Sequence, residues 1–191
     1  MNGSKAMAKT QKTNRSIEKL NPVDKSDPDL VLAVIETPMG SRNKFKFDPK
    51  LGAFILGGVL PQGMMFPHAF GFVPSTRAAD GDPEDILVIM DEPTFTGCVV
   101  HTRLIGVIEA EQREKDGEKE RNDRIVAVAA HSHDHSDLHS ITDMNDNAIE
   151  EIAQFFVNYN RERGKQFKVL GRKGPKSAWK LLKKSFLKKR K

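Results

Sequence analysis

The 191-residue sequence predicts an α+β fold, mainly β, in which short strands close into a compact barrel with helices packed outside it. Three observations carry that expectation. Short runs of branched and aromatic apolar residues recur along most of the chain, and the stretches between them are rich in glycine and proline. Helical spacing of apolar residues begins only after Asn145. No internal repeat is present.

Residues 1–29 are polar and basic without periodicity, and read as a flexible arm. Segment 30–37 (LVLAVIET) is dense in branched apolar residues and is closed by Pro38, so it is the first strand. Residues 39–43 form a turn. Lys44, Phe45, Lys46 and Phe47 then alternate charged and aromatic, as a strand with one wet face does. Further strands are expected at 53–55, 70–73, 85–90, 98–112 and 124–130. The run 98–112 is long for a strand, and Gly106 inside it marks a bulge or sharp bend. The charged stretch 113–122 reads as an exposed loop. Asn145 and Asp146 can cap a helix in which Ile149, Ile152, Phe156 and Tyr159 share a face, ending at Gly164. A second helix starts near Pro175, with Ala178, Trp179, Leu182 and Phe186 on one stripe.

Composition excludes several classes. Apolar residues make up 38%, and no stretch approaches the roughly 20 needed to span a bilayer. The N-terminal residues have no apolar core of a secretory signal. The single cysteine, Cys98, allows no internal disulfide and fits a reducing compartment, so a cytoplasmic protein is expected. The net charge of +5 is concentrated at the two ends, where a lysine-rich run is most often a solvated helix end. A barrel that binds nucleic acid would present aromatic stacking platforms. Apart from Tyr159 and Trp179, the aromatics here are phenylalanines in apolar runs, so nucleic acid is not an expected partner.

The chemistry concentrates in Asp80-Gly81-Asp82-Pro83-Glu84-Asp85, just before an apolar strand. Gly81 permits backbone angles closed to other residues and Pro83 fixes one, so the loop can bend its carboxylates together. Converging carboxylates repel unless a hard cation joins them, and Mg²⁺ suits oxygen ligands shared with phosphate. A calcium loop of the EF-hand type needs Gly and Glu at its sixth and twelfth positions. Asp85 and Asp91 stand there instead, so that reading fails. The alternating His131, His133 and His135 would share one face of an extended chain, as a transition-metal site or as a solvated polar segment.

The acidic run resembles the D-x-D-P-x-D signature of family I soluble inorganic pyrophosphatases. The resemblance extends over 34–171. It includes Val34-Ile35-Glu36-Thr37-Pro38, Gly40-Ser41-Arg42-Asn43-Lys44, Phe66-Pro67 with Gly71-Phe72-Val73-Pro74, and Phe155-Phe156 leading to Tyr159. It implies a five-stranded closed barrel of the oligonucleotide-binding (OB) type, with a pyrophosphatase-like domain at 30–171 and a basic C-terminal helix or tail at 172–191. The implied reaction is Mg²⁺-dependent hydrolysis of inorganic pyrophosphate to two phosphates. Asp80 and Asp85 would hold metal, Glu36 would support a further metal through water, and Asp82 would take the proton of the attacking water. Lys44, Arg124, Tyr159 and Lys165 would bind the phosphates. The resemblance also implies a homo-oligomer, a hexamer as in many bacterial members.

Departures from the family pattern cluster in the same region. Lys46 stands where the family has Glu, and Gly57-Gly58 replaces an Asp-Arg pair. Phe66 and Phe70 replace tyrosines, and Asn160 replaces a basic residue. Gln112 and Asn122 take the places of two metal-binding aspartates. Neighbouring Glu111 and Asp123 point to the opposite face of a strand. Asp116, in the loop, is the candidate replacement ligand. The alternative reading is a catalytically weakened relative that binds or cleaves another phosphoanhydride.

Overall fold

The longest strand, β6 (Val99–Arg113), organises the fold. The structure is a computed structural model and describes residues 16–113 and 117–187. The first part of β6 pairs antiparallel with β1 (Leu30–Thr37) and its middle with β8 (Arg124–Ala129). Its last part pairs with β7 (Lys119–Arg121) and β9 (Gln166–Lys173). From β1 the ring continues to β4 (Ala69–Phe72) and β5 (Asp85–Ile89), and β5 runs parallel to β8. The strands β1, β4, β5, β8 and β6 therefore form the expected five-membered closed ring, which leaves no edge within it. β2 (Asn43–Asp48) and β3 (Ala53–Val59) form a separate hairpin sheet.

Bending so long a strand requires a local break in the ladder. The register of β6 against β8 shifts between Leu104 and Gly106, so the bulge expected at Gly106 is present. A Cβ at Gly106 would lie 2.6 Å from the Lys173 carbonyl oxygen and 2.7 Å from Ile141 Cβ, which leaves glycine alone compatible with this crossing.

Strands β5 and β8 are buried on both faces, and their alternate residues feed two cores. Leu87, Ile89, Val126 and Val128 meet Ile149, Ile152 and Phe156 of α1 (Asp146–Glu162). Ile86, Val88, Ile125 and Ala127 meet Ala178 and Leu182 of α2 (Pro175–Ser185). Fully burying Leu182 contributes about 2 kcal/mol relative to leaving it exposed. The Asn145 side chain caps α1 by accepting the Asn147 N–H, and Gly164 follows the helix with a φ of 73°.

Strands β7 and β9 were not anticipated. Part of the stretch 113–122, expected as a loop, is strand β7, paired with β6. β9 has too few apolar residues to announce itself and owes its form to the ladder with β6. Where the sequence reads as an arm, Ile17–Lys19 form a 3-10 turn and Val23 bridges Val31; residues 1–15 lie outside the described residues. Past residue 171, α2 packs into the barrel core, and 188–191 lie outside the described residues. No helix among the described residues is long and apolar enough to cross a membrane.

Candidate active site

The acidic run spans the loop from β4 into β5. Its bend is built as expected: Gly81 has a φ of 89°, the Asp82 N–H donates to Asp80 Oδ1 at 3.1 Å, and the Ala78 N–H donates to the Asp82 carbonyl at 2.7 Å. Asp80 and Asp82 are exposed, whereas Asp85 at the start of β5 is partly covered.

Glu36, Lys44, Asp80, Asp82, Asp85, Arg124, Tyr159 and Lys165 all line one cleft of about 540 Å³. They come from five elements and two loop junctions, so closure of the barrel is what brings them together. Asp116 lies outside the described residues.

Charge is arranged in pairs across the cleft. The Arg124 guanidinium contacts Asp85 Oδ2 at 2.5 Å and donates to Asn122 Oδ1. It is held in place by the rings of Phe70, Phe156 and Phe167, whose centroids lie 5.8, 5.3 and 5.6 Å from its central carbon. Phe70 thus presents a ring without a hydroxyl to this cation. The Lys44 ammonium lies 5.1 Å from the centre of the Tyr159 ring, which stacks on Phe155.

Glu36 is only 8% exposed, and its Oε1 accepts the Phe47 N–H at 2.7 Å. Burial pushes its carboxyl up to about 7, against the Phe47 hydrogen bond and with the help of the nearby Asp85 charge. Asp85 is also raised by burial, while Arg124 and Lys44 pull it down.

Three features of the cleft were not assigned a role from the sequence. Lys46 reaches Asp82, with Nζ 3.0 Å from Oδ2. The Asn122 amide donates to Gln112 Oε1 at 3.0 Å, so the two amides form a joined pair. Arg163 lines the cleft and donates to the Tyr159 hydroxyl from one helical turn away. That last contact was legible as an i, i+4 pair on α1. Glu111 instead pairs with Lys119 at 2.9 Å, and Asp123 with Arg121 at 2.6 Å, as strand alternation requires.

The histidine segment is not extended. Residues 131–135 fold as turns around Asp91, which accepts from the Ser132 hydroxyl and from the His133 and Asp134 N–H groups. No group of three His, Cys, Asp or Glu side chains among the described residues stands close enough to hold a metal ion in this arrangement.

A family profile described as Inorganic pyrophosphatase matches residues 33–189. An inorganic pyrophosphatase of Synechocystis is 40% identical over 142 residues, covering 74% of this chain and 81% of the relative. One from Geobacillus stearothermophilus is 39% identical over 154 residues, covering 80% and 90%. The crystal structure of the Thermus thermophilus inorganic pyrophosphatase superposes with a TM-score of 0.79 at 35% identity, covering 88% of this chain and 95% of that one.

Proposed function

The chain belongs to the inorganic pyrophosphatase family, and from that premise we propose that it hydrolyses inorganic pyrophosphate to two phosphates with Mg²⁺ as cofactor. The observation that carries this reading is the facing of Asp80, Asp82 and Asp85 against Lys44, Arg124 and Lys165 in one cleft. Asp80, Asp85 and Glu36 line the same cleft and supply the hard carboxylate oxygens that would hold a divalent cation. The cation supplies a Lewis acid that lowers the pKa of the attacking water and draws charge from phosphate oxygens.

The remaining work falls to side chains. Lys44, Arg124 and Lys165 bind the phosphate oxygens and offset the charge that builds up on them as the anhydride bond breaks. The aromatic cage fixes Arg124, so little reorganisation is needed when the phosphate arrives. Asp82 accepts the proton of the attacking water, and its exposed position gives that water access. Tyr159 donates its hydroxyl to a phosphate oxygen, positioned by Arg163. We place this work in the cytoplasm, in line with the lone Cys98. We read the exposed apolar side chains of Leu51, Leu56, Val59 and Phe95 as contacts of a homo-oligomer, a hexamer by family likeness. The direct test is phosphate release from pyrophosphate by the purified chain with Mg²⁺; no release above buffer would sink the reading.

A second reading keeps the chemistry and changes the substrate to an organic phosphoanhydride. A cavity of about 420 Å³ adjoins the cleft, shares Lys44, Gly57, Tyr159 and Arg163 with it, and continues past Gly58, Val59, Leu60 and Pro61. Gly58 presents no side chain, and a Cβ there would meet nothing within 4 Å, so a substituent on the terminal phosphate has room to extend. Phosphate release from adenosine 5′-diphosphate at a rate comparable to that from pyrophosphate would favour it.

A further inference from the structure

We propose that Lys46 is a built-in cation at Asp82, and that the cleft takes its divalent ions at Asp80 and Asp85 and not on the opposite wall. The inference rests on the pyrophosphatase reading and concerns how this chain shares the work between fixed and exchangeable positive charge.

Two independent observations support it. The Lys46 ammonium, carried on β2, reaches across to Asp82 with Nζ 3.0 Å from Oδ2. A divalent ion bound at Asp82 must displace this ammonium or sit beside it, and like charges at such range repel. The second observation is on the wall built from the end of β6 and the start of β8. Gln112 Oε1 accepts from the Asn122 amide, and Asn122 Oδ1 accepts from Arg124. Both amide oxygens are therefore engaged, and neither side chain carries a charge. The nearest acids in sequence, Glu111 and Asp123, are held by Lys119 and Arg121 and are not part of the cleft lining. A small divalent ion needs near-ideal oxygen ligation and gains most from carboxylates, so this wall offers it little. Arg124, at the start of β8, stands on that wall as a permanent positive charge, and Lys46 on β2 is a second one facing Asp82.

The consequence is a trade in properties. Fixed cations need no metal from solution and cannot be lost to a chelator. They also cannot acidify a water as a divalent ion does. The cleft is thus specified for fewer bound divalent ions, with weaker affinity at Asp82.

The test is Mn²⁺ titration of the full chain without substrate, read by electron paramagnetic resonance of the free ion. Removing the ammonium in Lys46→Met should tighten Mn²⁺ binding about tenfold, and Lys46→Arg should stay near the wild-type affinity. The double variant Gln112→Asp, Asn122→Asp should bind at least one more ion than the wild type. Circular dichroism and thermal midpoints establish that each variant folds. A folded Lys46→Met that binds Mn²⁺ no more tightly overturns the role of Lys46. A folded double variant with unchanged stoichiometry overturns the role of the amide pair. Should the wild type release phosphate while Mn²⁺ binding ignores these changes, only this inference fails. If binding responds as expected but no phosphate is released, only the substrate reading fails.

Discussion

Ser185, the last residue of α2, donates its hydroxyl to the Glu84 carboxylate inside the acidic run, across 101 residues of sequence. The contact is one of a set. The Arg77 N–H donates to the Ser185 carbonyl at 2.8 Å, the Leu187 N–H donates to the Ser75 carbonyl at 3.0 Å, and Thr76 bridges Phe186. The C-terminal helix thus clamps the base of the loop that carries Asp80, Asp82 and Asp85. Glu84 is buried, which raises its carboxyl, and the Ser185 hydroxyl opposes that rise.

Removing the donor leaves a buried acceptor short of a partner. Ser185→Ala is expected to lower stability by about 1–3 kcal/mol. Urea unfolding followed by circular dichroism measures it, and an unchanged midpoint would show that the clamp does not depend on this hydroxyl.

Gly71 sits where β4 crosses β1, and a Cβ there would lie 1.9 Å from the Val34 carbonyl oxygen. The obstacle is backbone on a paired strand, so it cannot swing aside. Gly71→Ala is expected to cost more than about 3 kcal/mol or to prevent folding, because the barrel must open to admit a methyl group. Thermal unfolding checks this, and a midpoint within a degree or two of the wild type would contradict it.

Glu36 gives the fold a pH dependence near neutrality. Its carboxyl rises from 4.5 to about 7 on folding, so the folded state holds the proton more tightly than the unfolded chain. The resulting stability is fully present below the unfolded value and is lost as pH rises through the folded one. Without divalent ions, unfolding free energy should fall between pH 5 and 8, with Glu36 accounting for on the order of 2–3 kcal/mol. Asp85 and Glu84, also raised by burial, act with the same sign and remain in the variant. Glu36→Gln keeps an acceptor for the Phe47 N–H and should make the curve shallower. Parallel curves for the two proteins would rule out this assignment.

Asp82→Asn keeps the size of the side chain and removes the base. Phosphate release from pyrophosphate should fall about 10²–10⁴-fold. Binding of pyrophosphate, followed by calorimetry, should persist because Lys44, Arg124 and Lys165 are untouched. Activity within a few fold of wild type would assign the proton to another group.

The acidic run illustrates how far the chain reads on its own. Asp80, Asp82 and Asp85 stand close together in one loop, with Gly81 and Pro83 between them, so local spacing was enough to bring them forward as candidates. The same holds for the bulge at Gly106 and for the caps of α1, where a single residue type meets a single backbone demand. Long-range partners were another matter. Lys46 lies 36 residues from Asp82, and Gln112 and Asn122 are joined across two strands. Nothing in the local pattern of those residues announces a partner.

Periodicity, turn chemistry and the ordered motifs were sufficient for most of the barrel strands, the two helices and the bend of the acidic loop, because each depends on residues close together in sequence. Closure of β1 on β6, the strand pairing that creates β9, and the clamp of α2 on the acidic loop belong to the folded molecule. So does the balance of charge in the cleft. Whether a lysine meets solvent or a carboxylate depends on register and crossing between strands far apart in sequence, and distances of that kind exist only once the barrel has closed.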